Sequence, residues 1–145
     1  MGDATGLRQA QTILAVRTPG RGLHDISRQV NDWCAGTGIL TGLLTVFIRH
    51  TSAALTIQEN ADPDVLHDLE GFMTRLVPDD TALYRHVAEG ADDMPAHIRG
   101  ALTATSLSVP VAGGAPLFGT WQGLYLWEHR TRAHRRQVAL HMIGE

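Results

Sequence analysis

Apolar and polar positions alternate along much of the chain, and the period of that alternation divides it into short elements. Residues 8–17, RQAQTILAVR, carry strand-forming types ahead of a Pro19, Gly20, Arg21, Gly22 turn, which predicts a first strand. Leu23 to Ile26 predicts a short second one. Ser27 is placed to cap a helix that turns Val30, Trp33 and Cys34 inward and ends at Gly36. From Gly42 to Glu59 two β-rich runs meet at His50, Thr51 and Ser52. In the first run Leu44, Val46, Ile48 and His50 share a face, because successive side chains of a strand point to opposite sides.

The plainest helical signal follows. Asp62 predicts an N-cap, Pro63 fits the first helical position, and Asp64 puts negative charge where the helix dipole favours it. Val65, Leu69, Phe72 and Leu76 recur at the helical period and predict the buried stripe, with Pro78 as the stop. His67, Asp68 and Glu70 fall off that stripe and predict a solvated face. Met94 to Leu102 predicts a short helix with His97 in its first turn, and Thr103 to Val111 a strand that Pro110 places near an edge or end. Gly113, Gly114 and Pro116 predict a turn before the aromatic run Leu117 to Arg130. There Thr120, Gln122 and Glu128 share one parity, and Trp121, Tyr125, Trp127 and His129 the other. A regular strand therefore aims only one of Glu128 and His129 at a given site, unless a bulge intervenes. Residues 131–136, TRAHRR, predict a basic loop, and Gln137 to Ile143 a closing strand.

At 145 residues, the length is that of a single domain spanning 1–145 with a hydrophobic core of its own. A hydrophobic share of 43% and a charged share of 19% exclude disordered and membrane-embedded classes. The net charge of −3 gives no basic field for nucleic acid. All twelve basic residues are arginine, which removes lysine nucleophiles and Schiff bases. The single cysteine, Cys34, excludes an internal disulfide or cysteine metal site and reads as a small buried hydrophobe; a reducing cytoplasm fits that usage. The start MGDATGLRQA has no apolar secretion segment, Gly6 stands where a myristoylation signal needs Ser or Thr, and no run is long enough for a membrane span.

Eight histidines in this length call for an explanation. Residues 84–97, YRHVAEGADDMPAH, put His86 and His97 either side of Glu89, Asp92 and Asp93, with Gly90 as a hinge. Imidazole and carboxylate together suit zinc, manganese or iron, and a carboxylate beside a ligating histidine fixes its tautomer. The competing reading is a polar surface loop in which Asp92 or Asp93 caps a helix and Pro95 sits in its first turn. His50 ends an apolar face, where a histidine is more often a hydrogen-bonded core residue than a ligand; Thr51 and Ser52 beside it are compact donors suited to a phosphate. Glu59 and Asn60 stand at the mouth of the second helix. Arg130, Arg132, Arg135 and Arg136 offer phosphate-binding forks or a solvated surface.

Three stretches, HTSAALTIQENADPDV, YRHVAEGADDMPAHI and GTWQGLYLWEHR, resemble in order and spacing the YjbQ family, a group described as secondary thiamine-phosphate synthases. The resemblance implies an α+β fold with a mostly antiparallel, β-sandwich-like core and two to three helices, assembled as a homotrimer. It also implies a weak capacity to form thiamine phosphate, either as the native reaction or as a side activity. The family's histidines fall on His50, His86, His97 and His129, its acidic and amide positions on Glu59, Asn60, Asp62, Asp92, Asp93, Gln122 and Glu128, and its arginine on Arg130.

On that basis His86, His97 and His129 are the expected ligands of a divalent zinc, magnesium or manganese ion, with His50 able to replace one of them. Three protein ligands leave a position open for substrate. Glu128, Asp93 and His50 are the expected catalytic groups, with Glu128 or Asp93 as base or as partner to a ligating histidine. Thr51, Ser52, Asn60, Gln122 and Arg130 are expected to bind a phosphorylated small metabolite, with Trp121 stacked on its pyrimidine. The rival expectations are a trimer that binds such a metabolite without turnover and a structural oligomer with histidines at its subunit contacts.

Overall fold

The computed structural model describes residues 6–145; residues 1–5, on which most of the N-terminal targeting argument falls, lie outside the described residues. The chain runs β1 (Arg8–Thr18), β2 (Gly22–Asp25), α1 (Ser27–Thr37), β3 (Gly42–Ile48), β4 (Ala53–Glu59), α2 (Pro63–Leu76), a single 3-10 turn at Thr81–Leu83, α3 (Asp93–Leu102), β5 (Ser106–Ala112), β6 (Ala115–Pro116), β7 (Gln122–Glu128) and β8 (His134–Gly144). Two sheets form. The larger has the order β1-β8-β3-β5-β6 and the smaller β2-β7-β4, all pairs antiparallel.

Leu44, Val46 and Ile48 of β3 meet Val138, Leu140 and Met142 of β8 on one side and Leu124 and Leu126 of β7 on the other, with Val30 and Cys34 of α1 closing the end. Burial raises the Cys34 thiol to about 11, so it stays protonated and inert. The opposite face of the smaller sheet is covered as well. Ala54 and Trp127 pack there against Met73 and Val77 at the end of α2. Strand β7 is thus buried on both faces from Gly123 to Glu128, which is why its sequence reads as a continuous apolar run.

Four expectations change. Ser27 does not cap α1 with its side chain; its hydroxyl accepts from Leu124 N at 2.8 Å, while the Asp25 carboxylate accepts from Ser27 N at 2.8 Å. The inward stripe of α2 is rotated, so that Phe72 and Leu76 are 56% and 54% exposed while Met73 is buried and Glu70 turns inward. The basic loop is shorter than predicted: β8 begins at His134, and Arg136 is a buried strand residue. Finally α3 begins at Asp93, so His97 lies in its second turn, four residues after an aspartate. Asp62 does cap α2, accepting from Asp64 N at 2.9 Å.

Candidate metal centre

Asp93 and His97 are one helical turn apart on α3, a spacing that puts both on the same face. Ahead of them Gly90 adopts φ 109°, a conformation that favours glycine, and the loop turns back so that His86 reaches Asp93. One carboxylate oxygen, Asp93 Oδ2, lies 2.5 Å from His86 Nε2 and 3.3 Å from His97 Nε2. The two rings stand edge to face with centroids 5.4 Å apart. Glu89 Oε2 approaches His86 Nε2 to 3.7 Å from the solvent side. Ligating atoms of His86, Asp93 and His97 all lie within 4.8 Å of one another, and among the described residues no other such group forms.

Arg130 fixes the carboxylate from behind. Its Nη1 donates to Asp93 Oδ1 at 2.7 Å, its Nε to Asp92 Oδ2 at 3.0 Å and its Nη2 to the Glu89 carbonyl at 2.9 Å. Asp92 also accepts from the backbone N and the hydroxyl of Thr131, so its side chain is spent on this clamp and makes no cap for α3. Burial alone would raise both carboxyls, but the hydrogen bonds they accept and the Arg130 charge outweigh it and hold each below the usual carboxylate range. Asp93 is therefore an anion with Oδ1 committed and Oδ2 presented to the two imidazoles.

Three donors of this kind fit a divalent ion. Ligand atoms about 2.1 Å from a tetrahedral ion stand about 3.4 Å apart, and the Asp93–His97 pair at 3.3 Å already does. The 2.5 Å contact of His86 is a hydrogen bond that a cation would replace. His86 sits on a loop with its side chain 42% exposed.

A profile described as UPF0047 protein YjbQ-like matches residues 12–145. The chain belongs to the YjbQ family. It is 54% identical over 143 residues to the UPF0047 protein sll1880 of Synechocystis, covering 99% of this chain and 97% of that one. To the UPF0047 protein YjbQ of Escherichia coli O157:H7 it is 42% identical over 136 residues, covering 93% and 98%. A YbjQ-like protein of unknown function from Sulfolobus solfataricus shares the fold with a TM-score of 0.86 at 22% identity, over 97% of this chain and 100% of that one. A conserved hypothetical protein of Thermus thermophilus gives 0.79 at 35% identity, over 89% and 97%.

In this YjbQ-family chain the remaining expected site residues do not join the cluster. The β7 register runs unbroken to Glu128 against both β2 and β4, so no bulge brings Glu128 and His129 to one side. Glu128 points into the space between the sheets, where it accepts from Thr18 Oγ1 at 2.6 Å, from Arg130 N at 3.1 Å and from Arg136 through both oxygens. Burial pushes its carboxyl up, the Arg136 and Thr18 hydrogen bonds pull it further down, and the net shift is downward. An anion so committed is an anchor and not a base.

His129 faces the helices instead. It is fully buried beside Trp127, with Nε2 3.3 Å from Thr103 Oγ1 and Nδ1 without a protein partner. Burial, reinforced by the charge of Arg99, lowers its pKa to about 3.

His50 lies past the end of β3, where Nε2 accepts from Gln137 N at 2.8 Å. Burial and the Arg136 charge lower its pKa. Ser52 Oγ accepts from Arg136 at 3.0 Å, and the neighbouring Thr51 is exposed in the same turn. Three of the five N–H donors of Arg130 are engaged with Asp92, Asp93 and Glu89. At the other end of β7, about 20 Å away by the rise of seven strand residues, Asn60 bonds to the carbonyls of Thr120 and Gln122, Gln122 to Gly119 N, and Trp121 is 65% exposed.

Sequence reasoning did not assign Glu70, Arg99 or Arg136 a place inside. Arg99 is fully buried and donates to Glu70 at 2.7 Å, and the other Glu70 oxygen accepts from Trp127 Nε1 at 2.7 Å. The four-residue spacing of Asp93 and His97 was the usable signal for the cluster; starting α3 at Met94 concealed it.

Proposed function

We propose that this protein is a metal-dependent enzyme acting on a phosphorylated small metabolite, with thiamine-phosphate synthase-like group transfer within its reach. The observation that carries the reading is the convergence of His86, His97 and Asp93 on a half-exposed face, with Asp93 held from behind by Arg130. Two imidazoles and one carboxylate favour zinc or manganese over magnesium, which prefers an all-oxygen shell. A divalent ion bound there would supply positive charge to phosphate oxygens.

The protein's own groups have distinct tasks. Arg130 keeps Asp93 ionised and orients Oδ2, α3 fixes His97 relative to it, and His86 closes from the loop. In thiamine-phosphate formation a thiazole nitrogen bonds to the pyrimidine methylene carbon as that carbon's bond to pyrophosphate oxygen breaks. The leaving group carries the charge that such a centre must meet, and the nitrogen nucleophile needs no base. The commitment of Glu128 to Arg136 is compatible with that chemistry.

The proposal includes a homotrimer. The outer face of the larger sheet carries Ile13, Leu43, Phe47 and Ile143, each 40–47% exposed. Ile13 and Phe47 both register against Ala139, and Leu43 against Ile143, so the four lie in two apolar rows across β1, β8 and β3 with the polar row of Gln11, His141 and Thr45 between them. The second reading, a trimer that binds its metabolite without turnover, is favoured by one observation: the expected base Glu128 is locked away from the cluster.

The test is metal content of protein purified without chelator, followed by turnover of the thiazole phosphate with the pyrimidine pyrophosphate. We expect about one zinc or manganese per chain, with both metal and turnover lost in His97→Ala and Asp93→Asn. Metal-free wild-type protein defeats the reading. Saturable binding of the phosphorylated compounds by metal-loaded protein without product would favour the binder.

A further inference from the structure

The two ligands on α3 depend on how that helix is turned about its axis. His97 Nε2 stands about 5–6 Å from the axis, so a 10° rotation moves it by about 1 Å; metal–ligand distances tolerate only about 0.2 Å. Two residues beyond His97, on the opposite side of the helix, Arg99 enters the protein with no exposed surface. Its Nη1 donates to Glu70 Oε1 at 2.7 Å and its Nη2 to Thr74 Oγ1 at 3.3 Å, both on α2. Glu70 Oε2 in turn accepts from Trp127 Nε1 of β7 at 2.7 Å. The Arg99 carbonyl accepts from Thr103 Oγ1 at 2.7 Å, which ends the helix at the same point.

We propose that the ion pair between buried Arg99 and part-buried Glu70 is a positioning element of the metal centre, fixing the rotation of α3 against α2 and β7 so that Asp93 and His97 face the incoming ion. This rests on the metal reading above. Burial of Arg99 does not by itself explain the pair's presence, because apolar residues of similar volume usually stabilise an interior as well or better. A planar guanidinium bridging to one carboxylate, itself oriented by an indole N–H, specifies one rotation where apolar packing accepts several.

The test compares Glu70→Gln, Arg99→Met and the double variant Arg99→Met/Glu70→Leu, with Asp93→Asn as the control for lost ligation. Zinc affinity is measured by competition with a chromophoric chelator, and unfolding is followed on chelator-treated protein. Glu70→Gln keeps the shape and removes one acceptor; zinc should bind it 10–100-fold more weakly, the range seen when groups behind metal ligands are lost. The double variant should recover the midpoint of the metal-free wild type to within a few degrees and still bind zinc weakly. Wild-type affinity in Glu70→Gln, or in a folded double variant, overturns the positioning role. Should Arg99→Met or the double variant fail to fold, Glu70→Gln decides. A wild-type chain with no zinc affinity is seen before any variant is made and sinks the metal reading along with this one.

Discussion

His129 is neutral in the fold because burial, and then the charge of Arg99, hold its pKa at about 3, while the ordinary imidazole value is 6.5. The unfolded chain binds the extra proton first. Between pH 6.5 and about 3 the unfolded state therefore carries more protons, so stability is full above 6.5 and falls as the pH drops, by about 1.4 kcal/mol per pH unit. His50, also depressed, adds to the loss in the same direction. Urea unfolding at pH 7 and pH 5 should show this slope, and His129→Gln should remove its larger part. Glu128 supplies a second residue-level test. Replacing it with Gln leaves Arg136 buried without its counter-charge and should cost about 3–5 kcal/mol, while zinc is still bound because Glu128 supplies no ligand to the cluster. Thermal unfolding and metal competition on one preparation separate the two effects.

Among the elements, α2 illustrates a limit of periodicity. Val65, Phe72 and Leu76 lie at helical spacing and so do Leu69, Met73 and Val77, and a stripe read from the sequence can settle on either. Contact with Trp127 and Ala54 selects the second set. Met73→Ala should cost about 2–5 kcal/mol, whereas Phe72→Gln on the exposed side should change stability by about 0.5 kcal/mol or less; denaturant midpoints at constant slope check both. The same ambiguity misplaced Glu70, which is polar but lies beside Met73 on the inward side. On β7 the strand alternation was legible, as was the opposed parity of Glu128 and His129. What burial on both faces does to those two was not.

For the whole molecule, the face of the larger sheet that the described residues leave uncovered is the feature with a physical consequence beyond one chain. Strands β1, β8 and β3 present Ile13 and Phe47 in one outward row and Leu43 and Ile143 in another, with Gln11, His141 and Thr45 between them, and half-exposed apolar side chains grouped on one sheet face support association through it. Under the proposed trimer, light scattering of the wild type should give three times the chain mass, and Phe47→Asp should give the monomer with its circular dichroism retained. A wild-type monomer removes the subunit argument and leaves the cluster of His86, Asp93 and His97 to act within one chain.

The sequence by itself determined what depends on near neighbours. Strand and helix periods, the Asp62 cap, the glycine turn at residue 90 and the nearness of His86, Asp93 and His97 all follow from residues within about a dozen positions of one another, although the third ligand expected from the sequence was His129 and not Asp93. It also determined, through three motifs, the family to which the chain belongs. Tertiary structure alone decided which charges are spent on each other. Glu128 with Arg136 and Thr18, Arg130 with Asp92 and Asp93, and Arg99 with Glu70 join segments 8 to 110 residues apart. A buried charge must find its partner wherever the fold brings one, and local pattern carries no record of that pairing.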